Sequence, residues 1–105
     1  MNILFVCSRN KWRSRTAETI FKNNGQHQIK SAGTEKSARI KVNQNLLDWA
    51  DLIFVMEDKH KKRIESRFKL DHNNTELLVL DIPDDYQYMD EDLIEILNIM
   101  IKPYL

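Results

Sequence analysis

Cys7 is the only cysteine of the chain, and the stretch FVCSRNKWRSRTAE, residues 5 to 18, follows it with four basic residues: Arg9, Lys11, Arg13 and Arg15. A thiol set against that much positive charge is suited to attack an anion. Arg13 stands six positions after the cysteine. An arginine folded back over a curled loop can grip two phosphate oxygens while the sulfur lies beneath the phosphorus. A free cysteine titrates near ~8.5, and one at a helix N-terminus facing arginine is expected as a thiolate at neutral pH. Ser14, first in the following helix, can donate a hydrogen bond to it. Asn10 is the loop residue best able to adopt a left-handed backbone and to peg the loop with its side chain. The blander reading is a buried strand-end cysteine beside a solvated basic loop. The phosphate cradle is favoured because the pattern follows a buried strand, opens a helix and puts serine directly after arginine.

A thiolate attacking a phosphate ester needs an acid for the leaving oxygen, and a carboxyl near a bound anion holds its proton more readily. The stretch DIPDDYQYMDED, residues 81 to 92, offers Asp81, Asp84 and Asp85. Asp84 is preferred over Asp81. The competing reading is a polar turn that caps the last helix, with Asp90 as its N-cap.

These residues need elements to bring them together. Asn2 to Cys7 and Leu52 to Met56 are short apolar runs without alternation, which predicts buried strands. Gln28 to Ser31 is a weaker strand and Leu77 to Leu80 a fourth. A helix is expected from Ser14, with Ala17, Ile20 and Phe21 on one face and Asn23, Asn24 and Gly25 marking its end. Asn45 to Ala50 reads as a short helix, and Trp49 and Phe54 as core. Asp58 to Phe68 reads as a surface helix with Ile64 and Phe68 inward. Asp71 to Thr75 is a turn. Leu93, Ile94, Leu97, Met100 and Ile101 share one face of a final amphipathic helix. Strands alternating with helices predict an α/β fold: a four-stranded parallel sheet flanked by helices on both faces, with ligands beyond the carboxyl ends of the strands. Cys7, Met56 and Asp81 to Asp85 all lie at such ends.

Length and composition bound the rest. The 105 residues allow one domain spanning 1–105, with 42% aliphatic and aromatic and 30% charged residues. No apolar run approaches a membrane span or a signal peptide, so a cytoplasmic location is expected, in keeping with one unpaired cysteine. The formal charge of zero conceals a split. Residues 1 to 70 carry 15 Lys and Arg against 7 Asp and Glu, a net +8, while 71 to 105 carry 1 against 9, a net −8. That split suits either an anion site built from the first part or two halves that attract each other on folding. KHKKRIESRFK, residues 59 to 69, reads as a solvated helix paired with the acidic tail rather than as a nucleic-acid surface. His27, His60 and His72 lack metal-ligand spacing and read as solvated surface residues. No cofactor or metal is expected.

The loop resembles the low-molecular-weight protein tyrosine phosphatase family, whose phosphate loop reads Cys, five residues, Arg, Ser, with asparagine at the position of Asn10. SAGT at 31 to 34, ADLIFVME at 50 to 57 and IPDDY at 82 to 86 match further family segments in order. The resemblance is greatest to a short bacterial branch. It implies a Rossmann-like three-layer sandwich, with Cys7 forming a phosphocysteine and Arg13 binding the equatorial oxygens. Ser8, Arg9, Asn10, Lys11, Trp12 and Arg13 would form the phosphate-binding loop, with Asn10, Ser14 and Ser31 holding its shape. Asp84 falls at the general acid, and Trp12 and Tyr86 fall at the substrate cleft. The chain departs from the family pattern at Arg9, where glycine is usual, at Trp12, where a second cysteine is usual, at Arg15 and Asp85, where proline is usual, and in its shortness. Thioredoxin-coupled arsenate reduction needs further cysteines and is disfavoured. The implied partner is a phosphorylated protein or a small phosphate ester. The alternative is a nucleotide or nucleic-acid-end phosphate, hydrolysed or merely bound, with Arg9, Lys11 and Arg15 holding extra phosphates.

Overall fold

The computed structural model describes residues 1–23 and 25–105. Four strands, β1 (Asn2–Cys7), β2 (Gln28–Gly33), β3 (Leu52–Val55) and β4 (Glu76–Val79), form one parallel sheet in the order β2-β1-β3-β4. Between and after them run helices α1 (Arg13–Phe21), α2 (Gln44–Trp49), α3 (Asp58–Arg67) and α4 (Glu91–Ile101), the last followed by a 3-10 turn, Lys102–Tyr104.

Side chains alternate across a strand, so β1 feeds two cores at once. Ile3, Phe5 and Cys7 face a core completed by Ala17 and Phe21 of α1 and by Leu93, Leu97 and Ile101 of α4. Leu4 and Val6 face the opposite core with Leu47 of α2 and Ile64 of α3. Both faces are covered, which is why β1 and β3 carry apolar residues at every interior position. Phe5 stacks at 5.9 Å on Phe21 and at 5.4 Å on Phe54.

The expected elements are all present, with boundaries moved by one or two residues. β2 runs on to Gly33 because it pairs with β1 as far as Cys7. Asn24, one of the three residues expected to end α1, lies outside the described residues. Gly25 has no positive φ, so the helix does not end on a left-handed glycine. Trp49 is half-buried rather than core, with the Lys30 ammonium 4.5 Å from its ring centre. Asp90 caps α4 by accepting from the Asp92 N–H at 2.9 Å. Among the described residues no helix is long and apolar enough to cross a membrane.

β1 lies between β2 and β3, so the chain leaves the sheet in opposite directions on its two sides. That switch opens a crevice beyond the carboxyl ends of the strands. Cys7, Glu57 and the segment after β4 meet there.

Candidate active site: a thiol in a loop of free backbone donors

The segment from Cys7 to Ser14 curls because its carbonyls are engaged from outside. Thr34, Glu35 and Arg39 donate backbone N–H groups to the carbonyls of Cys7, Ser8 and Arg9 at 3.0, 2.9 and 2.9 Å, and Arg39 Nε reaches the Asn10 carbonyl at 3.3 Å. Among the described residues the N–H groups of Ser8 to Trp12 meet no acceptor. Trp12, the N-cap of α1, offers its first turn no side-chain acceptor. A row of free donors at a helix N-terminus is an anion site in waiting.

Asn10 turns the loop with φ 55°, the left-handed region its short polar side chain tolerates. Its amide nitrogen donates at 2.8 Å to both Ser14 Oγ and Ser31 Oγ. The direction of this network follows from its far end. Ser31 Oγ donates to the Glu18 carboxylate, which only accepts, so the serine oxygen must accept from Asn10. Ser14 Oγ also accepts from Asn10, which leaves its proton for the Cys7 sulfur at 3.0 Å or the Ala32 carbonyl at 3.3 Å. Glu18 is in turn 3.7 Å from Arg39. Arg9, which stands where glycine is usual, does not adopt a positive φ, and its Nε pairs with Glu35 at 3.2 Å.

Gly33 explains the close seating of the loop. A Cβ there would lie 2.6 Å from the Ser8 carbonyl oxygen and 2.8 Å from the Arg9 carbonyl carbon.

Arg13 is only 2% exposed. Its Nη1 donates to Glu57 Oε1 at 2.5 Å and to the Ile82 carbonyl at 2.8 Å, while Nε lies 3.6 Å from Asp84 Oδ1. Three segments distant in sequence thus clamp one guanidinium. Burial by itself would raise the Glu57 carboxyl, but the hydrogen bond and charge of Arg13, with Lys59 and His60, hold it below its ordinary value. Among the described residues the Arg13–Asp84 contact is the one ion pair joining residues 1–70 to 71–105. The ion pairs of α3 are local, Lys62 with Asp58 and Lys59 with Glu57, so the expected pairing of this helix with the acidic tail is not seen.

A cleft of about 220 Å³ is lined by Cys7, Ser8, Arg9, Lys11, Trp12, Arg13, Glu35, Lys59 and Asp84. Of the three candidate acids, Asp84 lines it, whereas Asp81 lines a separate depression with Pro83 and Asp58. Asp85 is exposed and absent from both. Two expected contacts fall elsewhere. Tyr86 packs on the Phe5 core, and Arg15 lies over the Tyr88 ring at 4.6 Å, away from the cleft lining. Lys11 sits 5.2 Å from the centre of the Trp12 ring. Among the described residues no group of three or more His, Cys, Asp or Glu is placed to hold a metal ion.

His60 corrects the sequence reading outright. It is buried, accepts the Glu57 N–H at Nδ1 over 3.0 Å and stands 2.9 Å from Ser8 Oγ through Nε2. Burial, then the nearby charge of Arg13, outweigh Glu57 and push its pKa down to about 4. The missed signal is a capping box in unfamiliar letters. Glu57 is the N-cap and His60 the third helical residue, where serine or threonine followed by glutamate is the usual form.

No protein-family model matches the chain. No curated protein matches it either. Solved structures do. The tyrosine phosphatase Wzb from Escherichia coli K30, in complex with phosphate, is similar with a TM-score of 0.76 at 22% identity, over 98% of this chain and 94% of that one. The YwlE arginine phosphatase from Geobacillus stearothermophilus gives 0.73 at 18% identity over 98% and 92%. A low-molecular-weight phosphotyrosine phosphatase from Vibrio cholerae O395 gives 0.71 at 19% identity over 92% and 87%. The chain therefore has the fold of the low-molecular-weight protein tyrosine phosphatases.

Proposed function

We propose that this chain is a cysteine-dependent phosphatase that hydrolyses phosphate monoesters, phosphotyrosine first among them. The observation that carries the reading is the arrangement around Cys7: a sulfur at the start of a loop of free backbone donors, 3.0 Å from the Ser14 hydroxyl, with the clamped Arg13 and Asp84 in the same cleft. The loop N–H groups and Arg13 hold the equatorial oxygens and neutralise charge as it develops. The Cys7 thiolate attacks phosphorus, the P–O bond to the alcohol breaks, and Asp84 gives its proton to the leaving oxygen. Water then attacks the phosphocysteine, its proton passes to Asp84, and the S–P bond breaks to return the thiolate and free phosphate.

The cleft rim favours an aryl ester. Arg9, Lys11 and Lys59 line it beside the Trp12 ring, an environment that attracts a phosphate dianion and can stack on a phenol. The same cations repel a guanidinium, which weighs against the phosphoarginine that the YwlE arginine phosphatase name suggests. A nucleic-acid end is weakened because Arg15, one of its three expected cations, is engaged with Tyr88.

Phosphate release from para-nitrophenyl phosphate, phosphotyrosine and phosphoarginine by wild type, Cys7→Ser and Asp84→Asn tests the reading. Turnover of the aryl esters that vanishes in Cys7→Ser and falls in Asp84→Asn supports it. Turnover that survives Cys7→Ser overturns it.

A further inference from the structure

His60 and Ser8 form a contact that the proposed reaction does not use. We infer that His60 aims the Ser8 hydroxyl into the cleft, so that the phosphate loop offers a side-chain donor in addition to its backbone N–H groups. His60 is thus a positioning residue, and the inference rests on the phosphate-binding reading above.

The tautomer fixes the direction. The Glu57 backbone N–H can only donate, so Nδ1 of His60, 3.0 Å away, must accept and carry no proton. In the neutral ring the proton then sits on Nε2, which faces Ser8 Oγ at 2.9 Å and therefore donates to it. Ser8 Oγ accepts there and keeps its own proton. Among the described residues that hydroxyl has no other hydrogen-bond partner, and Ser8 lines the cleft beside Cys7 and Arg13. The acceptor it lacks is what a phosphate oxygen supplies. The ring has little freedom to do otherwise, being 1% exposed and held at both nitrogens.

The two ring nitrogens can be replaced separately. His60→Asn puts a carbonyl near the Nδ1 position, so it can keep the Glu57 cap while losing the donor to Ser8. His60→Gln puts an amide N–H near the Nε2 position, so it can keep that donor, and its carbonyl is a usual acceptor at the third position of a capping box. Inorganic phosphate is titrated calorimetrically into wild type, Ser8→Ala, His60→Asn, His60→Gln and the Ser8→Ala/His60→Asn double variant, with urea midpoints measured on each.

Ser8→Ala and His60→Asn should each weaken phosphate binding about tenfold. The double variant should lose no more than either, because both remove one hydroxyl contact. His60→Gln should bind phosphate within about twofold of wild type, whereas His60→Asn, which keeps the cap, should lose affinity at a urea midpoint close to that of wild type. A purely structural role would lose affinity only together with stability. Phosphate binding that is unchanged in Ser8→Ala or His60→Asn, or losses that multiply in the double variant, would overturn the inference. Turnover is read separately. A chain that binds phosphate in this pattern but hydrolyses nothing keeps the inference and loses the phosphatase reading.

Discussion

At the scale of single residues the account rests on how Arg13 is held. A buried guanidinium with one partner removed is expensive, because its charge stays behind without compensation. Glu57→Ala should therefore destabilise the fold by roughly 2 kcal/mol, the Ile82 carbonyl and Asp84 retaining part of the clamp. Phosphate should raise the melting temperature of this variant more than that of wild type, since the anion supplies the missing negative charge. Equal shifts in a thermal melt would contradict that. Asp84→Asn should lower kcat/KM by about a hundredfold on poor leaving groups and far less on para-nitrophenyl phosphate, whose phenolate departs without an acid. A series of aryl phosphates of graded leaving-group acidity measures this. As candidates, Cys7, Asn10, Arg13, Ser14 and Asp84 were legible from residue type and spacing, and Ser31 only through the resemblance. Glu18, Glu57 and His60 were not. Their partners in the site are 13, 44 and 52 positions away, and the one local signal, the capping box between Glu57 and His60, does not point to the cleft.

At the scale of elements, two junctions set the loop. The first is the passage of β2 under it. Gly33→Ala would thrust a methyl at the Ser8 carbonyl, and the nearest atoms on that side are backbone, which cannot swing aside. This should cost about 1–3 kcal/mol in urea unfolding and weaken phosphate binding as well, because the loop must shift. The second is the β3–α3 corner that His60 caps. Its pKa lies at about 4 in the folded chain against an ordinary 6.5, so the unfolded chain takes up the proton first as pH falls. The stabilisation is fully present above about 6.5, declines between 6.5 and 4, and its loss levels off below about 4, reaching roughly 3 kcal/mol at most. Glu57, held below its ordinary 4.5, adds a loss of the same sign at the acid end. Urea midpoints from pH 7 to 4 should show this slope in wild type, and His60→Gln should flatten the part between 6.5 and 4. The elements themselves were readable from apolar runs and helical periodicity. Their ends were not, since pairing decides where β2 stops and sequence does not show the partner.

At the scale of the molecule, a 105-residue sheet with helices on both faces has two thin cores and little stability to spare. Phe5 lies at the centre of one of them, stacked between Phe21 and Phe54, in the strand that ends at Cys7. Phe5→Ala should cost about 3–5 kcal/mol in urea unfolding and leave the site populated only while the remaining stability allows. The charge split was visible in the sequence, but its structural use was not. The sequence offered an anion site built from the first part or two halves that attract each other, whereas among the described residues one ion pair, Arg13 with Asp84, joins the two parts while Arg9, Lys11 and Lys59 line the cleft. The rate constant kcat/KM for phosphotyrosine should fall with added salt, and fall less steeply in Lys11→Ala/Lys59→Ala.

The central claim is that phosphorus passes through the sulfur of Cys7. The most direct measurement mixes Asp84→Asn with para-nitrophenyl phosphate, quenches in acid within the first turnover and maps the phosphate by peptide mass spectrometry. The leaving group needs no acid, while hydrolysis of the intermediate lacks its base, so the phosphoenzyme should accumulate. The account predicts phosphate on Cys7 and on no other residue. Release of para-nitrophenol with Cys7 unmodified, or with the phosphate on another side chain, would contradict it.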